Sequence, residues 1–240
     1  MHRISKILGI AALAWAIVSA TSACDNGALG SGESFGGPDG RIHYEGPLAF
    51  NGQQVWEQNK NTTRISNAYF AFKEDRDINV VVYSPVDYSA IQVGSGKISQ
   101  GILNVSVNEL APETLLSWDD LKKIFFYWDD VQIDNPLAMG NFIMFISSNN
   151  ERLNRERLLG TDVSLGQEIV FFIYVDSDCR ITGSYGDGTG DGYYYTTSNL
   201  DLYLEKGWNT VCRKEVYGQS GKAAISMEVK NPDSRWVIYR

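Results

Sequence analysis

Cys24 is the residue whose position most clearly implies a chemical role. An uncharged run at 7–20 precedes it, and the basic residues Arg3 and Lys6 precede that run. A basic start, an apolar middle and a small-residue exit are the parts of an export signal, so residues 1–23 are predicted to be a signal peptide. A thiolate at this position can be alkylated by a diacylglyceryl group, and cleavage before Cys24 would free its amine for a further acyl chain.

Residues 21–24, Thr-Ser-Ala-Cys, resemble the lipobox of bacterial lipoproteins, although Thr21 stands where leucine is commonest. The resemblance implies covalent lipid on Cys24, with acyl chains such as palmitate, and a membrane partner reached through this anchor. Cleavage after Ala20 or Ala23 by ordinary signal peptidase is the alternative. A permanent transmembrane helix is a third reading, but the apolar run is shorter than the roughly 20 residues that span a bilayer. We therefore expect a lipid-anchored, extracytoplasmic protein of the cell envelope.

The segment after the cysteine is rich in small residues. Six glycines between 25 and 40 cannot bury apolar surface, so we expect residues 24–40 to form a flexible tether. The 240-residue chain has 21 basic and 29 acidic side chains and a net charge of −8. This acidity argues against a nucleic-acid partner, since phosphates need a basic face. Residues 41–240 are expected to form a β-sandwich domain, with two sub-lobes divided near 111–140 as an alternative.

Four aspartates close to turn residues could supply oxygen ligands for calcium. Asp176 and Asp178 follow an apolar run, whereas Asp187 and Asp191 lie in Gly-Asp-Gly-Thr-Gly-Asp-Gly. Calcium takes hard oxygen ligands on loops that glycine can bend. In an EF-hand loop that starts at Asp187, however, Ser198 stands where a bidentate glutamate is needed. The alternative is a hairpin connection that uses aspartate and glycine for its turns.

Cys179 and Cys212 are the two cysteines that follow Cys24. In an oxidising compartment they could form a disulfide, which would stabilise the fold by roughly 3–4 kcal/mol. The alternative is two reduced thiols packed as small apolar side chains. Two cysteines are too few to decide between these arrangements.

Catalytic chemistry has few candidates in this chain. His43 is the only histidine after the predicted signal peptide, and its surroundings, Arg-Ile-His-Tyr-Glu, predict a solvated residue on a strand. Acids are paired at 119–120, at 129–130 and at 176 and 178, but none lies in a recognisable catalytic motif. We therefore assign no catalytic residue and expect a protein that is not an enzyme. A carboxylate-dependent secreted hydrolase is the alternative.

The elements that would position these residues are mostly strands. β-Branched runs or alternating apolar residues predict strands at 80–83, 103–107, 142–146, 169–175, 200–204, 225–229 and 236–238. Turn residues separate them at short intervals, which indicates a mainly β protein, specifically an antiparallel β-sandwich.

One amphipathic helix is expected to be inserted near the middle of the chain. Ser117 followed by Asp120 resembles a capping box. Apolar residues then recur at steps of three or four: Trp118, Leu121, Phe125 and Trp128. Such a stripe is typical of a face that packs on a sheet, and an aromatic ligand platform is the alternative. A second short polar helix or turn is expected at 150–159.

Four short motifs between 168 and 213 stand out. They are Tyr-Val-Asp at 174–176, Arg-Ile-Thr-Gly at 180–183, Leu-Asp-Leu at 200–202 and Lys-Gly-Trp-Asn at 206–209. This arrangement resembles uncharacterised small lipoproteins of spirochaetes and Bacteroides-like bacteria. The resemblance implies a β-sandwich lipoprotein of the cell envelope and supplies no catalytic residue.

These patterns lead us to expect a membrane-anchored, non-enzymatic lipoprotein with a binding or structural role. Its partners would be the membrane and a glycan or protein ligand. A carbohydrate- or calcium-binding accessory protein is an alternative. Residues 192–197, GYYYTT, could offer aromatic faces to a sugar or form an exposed edge strand.

Overall fold

The computed structural model describes residues 34–36, 42–44, 46–58, 69–126, 131–158, 166–183, 194–197, 200–217, 222–230 and 234–239. Within these ranges the chain is mainly β, as predicted, and its strands are β1 (Ser34–Gly36), β2 (Ile42–Tyr44), β3 (Leu48–Gln58), β4 (Phe70–Ala71), β5 (Arg76–Tyr83), β6 (Ala90–Ser99), β7 (Ile102–Val107), β8 (Gln132–Ile133), β9 (Gly140–Phe142), β10 (Met144–Ser147), β11 (Arg152–Leu158), β12 (Gln167–Val175), β13 (Cys179–Gly183), β14 (Tyr194–Thr197), β15 (Leu200–Leu204), β16 (Gly207–Tyr217), β17 (Lys222–Val229) and β18 (Arg235–Tyr239). β1 lies inside the segment that the sequence predicts to be a tether, and it pairs with β2.

Seven strands close into a barrel in the order β3, β7, β6, β5, β10, β11 and β18. β18 completes the ring because it pairs with β11 on one side and with β3 on the other. In a closed ring of strands the number of antiparallel neighbour pairs must be even, because each such pair reverses the strand direction. A ring of seven strands therefore contains at least one parallel pair, which here is β3 with β18. The structure therefore corrects the predicted antiparallel sandwich to a closed barrel with additional strands. Alternating strands with one wet face occur in both architectures, so the pattern alone does not distinguish them.

Aromatic side chains fill the barrel. The ring centroid of Trp236 lies 5.0 Å from that of Phe50 and 5.0 Å from that of Phe145, both nearly edge-on. Phe172 stacks on the other side at 6.2 Å and an interplanar angle of 15°. All four side chains are buried in one hydrophobic cluster. Trp236 is therefore the central packing residue of the barrel, contributed by the strand that closes it.

The close approach of β6 to β7 depends on glycine. A Cβ added at Gly96 would lie 2.1 Å from the carbonyl oxygen of Asn104 and 2.6 Å from the Cα of Val105. These contacts are with backbone atoms, which cannot move aside without breaking the ladder between the two strands. Gly96 thus sets the spacing of this part of the barrel wall.

The predicted polar helix or turn at 150–159 is wrong, because most of this segment is β11. Leu153 is buried in the barrel core, while its neighbours Arg152 and Asn154 point to the opposite face. The segment has too few apolar residues to predict a strand from its sequence. Its pairing with β10, β12 and β18 supplies the stability that its own pattern lacks.

Additional strands extend the sheet beyond the barrel and carry a second layer. β12, β16 and β17 pair in that order, and β8, β13 and β15 form a separate three-stranded sheet. A second hydrophobic cluster lies between these layers, with Ile173 and Val211 from the large sheet and Ile181 and Leu202 from the small one. Among the described residues, this is the part where two sheets face each other.

The predicted helix is present but short. Ser117 is its N-cap and accepts a hydrogen bond from the backbone N–H of Asp120 at 3.3 Å, which confirms the capping prediction. α1 (Trp118–Leu121) continues as a π-helical segment, Lys122–Phe126. Leu121 is buried in the second cluster and Trp118 packs against it, so these two members of the stripe contact the core as predicted. Trp128 lies outside the described residues.

Candidate ligand-binding cleft

A cleft opens where three strands of the large sheet meet. Leu153 of β11 pairs with Phe145 of β10, but two residues later Arg155 pairs with Val170 of β12. From Ile173 onward β12 pairs with β9 instead of β11, and the first pair is Ile173 with Phe142. The sheet therefore forks at this point, and the three strands cannot all keep continuous ladders through the junction.

The cleft at this fork has a volume of about 320 Å³, at the lower end of the range for small-molecule sites. Its walls are mainly apolar and include the aromatic side chains of Tyr83, Phe142 and Phe171, with Met144 and Met227 beside them. Tyr83 and Phe142 pack edge-on, with ring centroids 5.5 Å apart. Such walls favour the apolar body of a small ligand over a fully hydrated one.

Strand alternation explains how these side chains reach the cleft. Val170, Phe172 and Tyr174 of β12 point into the barrel cluster. Phe171 and Ile173, between them, point to the opposite face and contact the second cluster. One strand thus supplies both the barrel core and a wall of the cleft.

Three arginines bring positive charge to the cleft: Arg152 and Arg155 of β11, and Arg213 of β16. Arg213 of β16 pairs with Ile169, which in turn pairs with Glu156 of β11. Arg152 lies four residues before Glu156, roughly 13 Å along the strand. All three arginines line the cleft. Their guanidinium groups are the charged donors that a ligand would meet there.

Arg213 is more sheltered than Arg152. Its side chain is 30 % exposed, and its Nη2 lies 2.5 Å from Oε1 of Glu215. Its Nε is buried and has no hydrogen-bond partner among the described residues. Arg152 is exposed. Since Nε is buried, an acceptor atom of a ligand in the cleft would meet the terminal Nη groups of Arg213.

The π-helical segment borders the cleft through Ile124. The turn before it is fixed by Asp120, whose side chain accepts hydrogen bonds from Ser117 Oγ at 2.7 Å and from Tyr88 OH at 2.7 Å. These hydrogen bonds, with that of Lys123, lower the pKa of Asp120 below its usual value. π-Helical turns are rare and often lie at functional sites.

The sequence-predicted site residues lie elsewhere. Cys24, Asp187 and Asp191 are outside the described residues. Asp176 Oδ1 accepts from the backbone N–H of Met139 and from Ser177 Oγ, each at 2.9 Å. Asp178 Oδ1 accepts from the backbone N–H of Lys206 at 2.8 Å. In the described part of the chain both carboxylates hold turns in place, and no group of three or more ligand side chains there could hold a metal ion.

Cys179 and Cys212 are both free, buried thiols, so the structure has the second of the two predicted arrangements. Cys179 belongs to the cluster between the two layers. Val211 of β16 belongs to the same cluster, and Cys212, its neighbour on the strand, therefore points to the other face of the sheet. The sheet itself separates the two sulfur atoms.

Burial makes the thiol of Cys179 a testable probe. Burial, with the nearby carboxylates of Asp134, Asp176 and Asp178, raises the pKa of Cys179 from 9.0 to about 12. We expect this thiol to resist alkylation at pH 8 in the native protein and to react once urea unfolds it, since the thiolate is the nucleophile. The pKa of Cys179 is higher in the folded protein than in the unfolded one. The contribution of this thiol to the free energy of unfolding is therefore fully present below about pH 9 and is lost as the pH rises toward 12.

Peptide mass mapping after timed alkylation would test this expectation, and urea titrations at pH 7, 9 and 10.5 would test the stability. Cys179→Ala is the control and should lose less stability between pH 9 and 10.5 than the unmodified protein. Burial also raises the pKa of Tyr44 to about 12, so the Cys179→Ala protein still loses some stability at alkaline pH. Alkylation of native Cys179 at the rate of a free cysteine would contradict the assignment.

His43 is not the solvated residue that the sequence predicts. It is 7 % exposed, with Nδ1 3.2 Å from Oε2 of Glu205, and its Nε2 contacts the carbonyl oxygen of Lys206. The cause is the pairing of β2 with β16, which brings His43 opposite Asn209. The imidazole therefore fastens β2 to the turn before β16.

A buried carboxylate on the barrel wall also escaped sequence reasoning. Glu156 is 1 % exposed and accepts hydrogen bonds from Tyr69 OH, at 3.4 Å, and from Tyr239 OH. Burial, with the charge of Glu156, raises the pKa of both tyrosines. The guanidinium of Arg235 lies 5.0 Å from the ring centroid of Trp56 and 5.4 Å from that of Tyr69. These contacts join strands that are distant in sequence, so no local sequence motif predicts them.

Comparison with known proteins finds no matching family model, no matching curated protein and no matching solved structure. Among the described residues, no helix has the length and apolar character needed to cross a membrane.

Proposed function

We propose that this protein is a non-enzymatic, extracytoplasmic binding protein that is tethered to a membrane by lipid on Cys24 and holds a small ligand in the junction cleft. The observation that carries the binding role is the cleft itself, which is lined by aromatic and methionine side chains and by three arginines. Apolar walls with a few placed polar groups are the usual design of a small-molecule site.

The side chains that line the cleft favour binding over chemistry. Phe142, Phe171 and Met227 offer apolar contact, and Arg152 and Arg213 offer donors that keep their charge at any physiological pH. Such groups hold and orient a ligand, whereas proton transfer needs groups that titrate near the working pH. The cleft is thus equipped for recognition.

The anchoring part of the proposal rests on the sequence. The basic start, the apolar run and Cys24 directly after Ser-Ala are the support for export and acylation. More than one acyl chain would hold the protein firmly, since each buried methylene contributes about 0.8 kcal/mol. The glycine-rich segment that follows would let the folded part stand away from the membrane surface.

Replacing Cys24 with serine tests the anchor directly. We expect the unmodified protein to fractionate with membranes after expression in a bacterial host, and the Cys24→Ser protein to lose that association, because an alcohol is not alkylated by the lipid donor. Intact mass would show the added diacylglyceryl and acyl groups on the unmodified chain and their loss from the variant.

Thr21→Leu is the matched control for this experiment. It changes a neighbouring residue toward the commonest lipobox and should leave both membrane association and the lipid mass in place. If the Cys24→Ser protein stayed with the membranes, or if the unmodified protein carried no lipid mass, anchoring through this cysteine would be excluded.

A further inference from the structure

The chemistry of the cleft defines a class of ligand more narrowly than the fold does. The chain is acidic overall, with a net charge of −8, so its overall electrostatic potential does not attract an anion. The cleft is a local exception, since the charged side chains that line it, Arg152, Arg155 and Arg213, are all arginines. A ligand that binds here must combine an apolar body with a negatively charged group.

The guanidinium of Arg213 indicates what that charged group is. It already lies 2.5 Å from one carboxylate, that of Glu215, which is itself buried with 7 % exposure. The Arg213 side chain is 30 % exposed and lines the cleft, so a ligand there can reach it. A planar guanidinium presents several donors and can hold a second acceptor group while it keeps the first. A single carboxylate on the ligand would supply that second acceptor group.

The size and walls of the cleft limit the rest of the ligand. About 320 Å³ corresponds to the space of roughly ten water molecules, which suits a small molecule and excludes a folded partner. Tyr83, Phe142 and Phe171 can pack against a flat ring, and Met144 and Met227 can adjust to its edge.

We infer that the junction cleft binds a small apolar monocarboxylate, with its carboxylate at Arg213 and its body against the aromatic walls. This inference deepens the proposed binding role and rests on it, but it does not depend on the lipid anchor. The exposed arginine, Arg152, would contribute less, since an exposed ion pair is worth little.

Three ligands of the same shape and different charge test the inference. Calorimetric titration of the full-length Cys24→Ser protein would use 2-naphthoate, 2-naphthylmethanol and 2-naphthylmethylamine. We expect the acid to bind tightest and the alcohol to bind roughly 10- to 100-fold more weakly, because it lacks a charge-assisted hydrogen bond. The amine should bind weakest, since it places a cation beside a cation.

Variants at the arginine separate its role from general apolar binding. Neutralising the pair, with Arg213→Met and Glu215→Gln together, should remove the preference for the acid over the alcohol. Neutralising the exposed pair of Arg180 and Asp201 on the three-stranded sheet, with Arg180→Met and Asp201→Asn, is the matched control and should keep that preference. Glu215→Gln alone should strengthen acid binding, because it removes a competing carboxylate.

A variant that fills the cleft tests where the ligand lies. Met144→Trp should weaken binding of the acid and of the alcohol together, and thermal melting would show which variants remain folded.

Equal binding of the acid and the alcohol, or a preference that survives neutralisation of Arg213, would overturn the carboxylate inference while leaving the cleft as a binding site. No binding of any of the three compounds would overturn the inference and the binding role together. Neither result bears on the anchor, which membrane fractionation tests separately.

Discussion

Replacing Trp236 with alanine is expected to lower the free energy of unfolding by about 3–5 kcal/mol. Its indole is 2 % exposed and contacts the rings of Phe50, Phe145 and Phe172. The substitution would leave a cavity in the middle of the barrel, and strands from every side of it are paired too tightly to close the gap. A domain is usually stable by only about 5–15 kcal/mol, so this single change would remove a large part of the total.

The control for this prediction is Trp236→Phe. Phenylalanine keeps most of the apolar volume, and it removes an indole Nε1 that is buried without a hydrogen-bond partner among the described residues. We expect it to cost less than about 1.5 kcal/mol. Urea titration followed by circular dichroism would measure both variants. Equal stability of the alanine and phenylalanine variants would show that Trp236 is not the central packing residue.

Gly96→Ala is expected to destabilise the barrel wall by about 3 kcal/mol or more. The new methyl group would lie 2.1 Å from the carbonyl oxygen of Asn104, far inside van der Waals contact. Since the obstructing atoms are backbone, β6 and β7 would have to separate, and hydrogen bonds of their ladder would be lost.

Ser95→Ala is the matched control in the same strand. Ser95 points to the opposite face and is exposed, so its change should stay within about 0.5 kcal/mol. Thermal melting and urea titration would compare the two variants. A Gly96→Ala protein as stable as the Ser95→Ala protein would mean that the strands are farther apart than the structure has them.

Local patterns were sufficient to predict strands but not their arrangement. The alternation at 103–107 and the apolar run at 169–175 correspond to β7 and β12, because side-chain burial repeats every second residue. The closure of the barrel depends on the parallel pairing of β3 with β18, which joins residues 55–58 to residues 236–239. No property of either segment alone specifies that partner. β11 was missed because its polar residues resemble a surface helix until its three neighbours are known.

The cleft could not be predicted for a related reason. Phe171, Arg213 and Met227 come from three different strands, and each looks like an ordinary strand residue in its own segment. They are neighbours because β12, β16 and β17 pair side by side, and the cleft opens beside them where β12 changes partner from β11 to β9. Sequence reasoning instead selected acids next to glycines, such as Asp176 and Asp178, which serve as turn-fixing acceptors in the fold. The spacing of Asp176 and Asp178 therefore indicates residues that stabilise turns and not ligands of a metal ion.

The closure of the ring by β18 also has a kinetic consequence. β18 is the last of the seven ring strands along the chain, and its parallel neighbour β3 is the first. The entropy lost in bringing distant segments together grows only slowly with their separation, so the equilibrium is little affected, but contacts between distant residues slow folding. Until β18 arrives, β3 and β11 each present an unpaired edge that could recruit another chain. If the chain is exported before it folds, as proposed, this delay would be an advantage, since the barrel cannot close until its final strand has crossed the membrane.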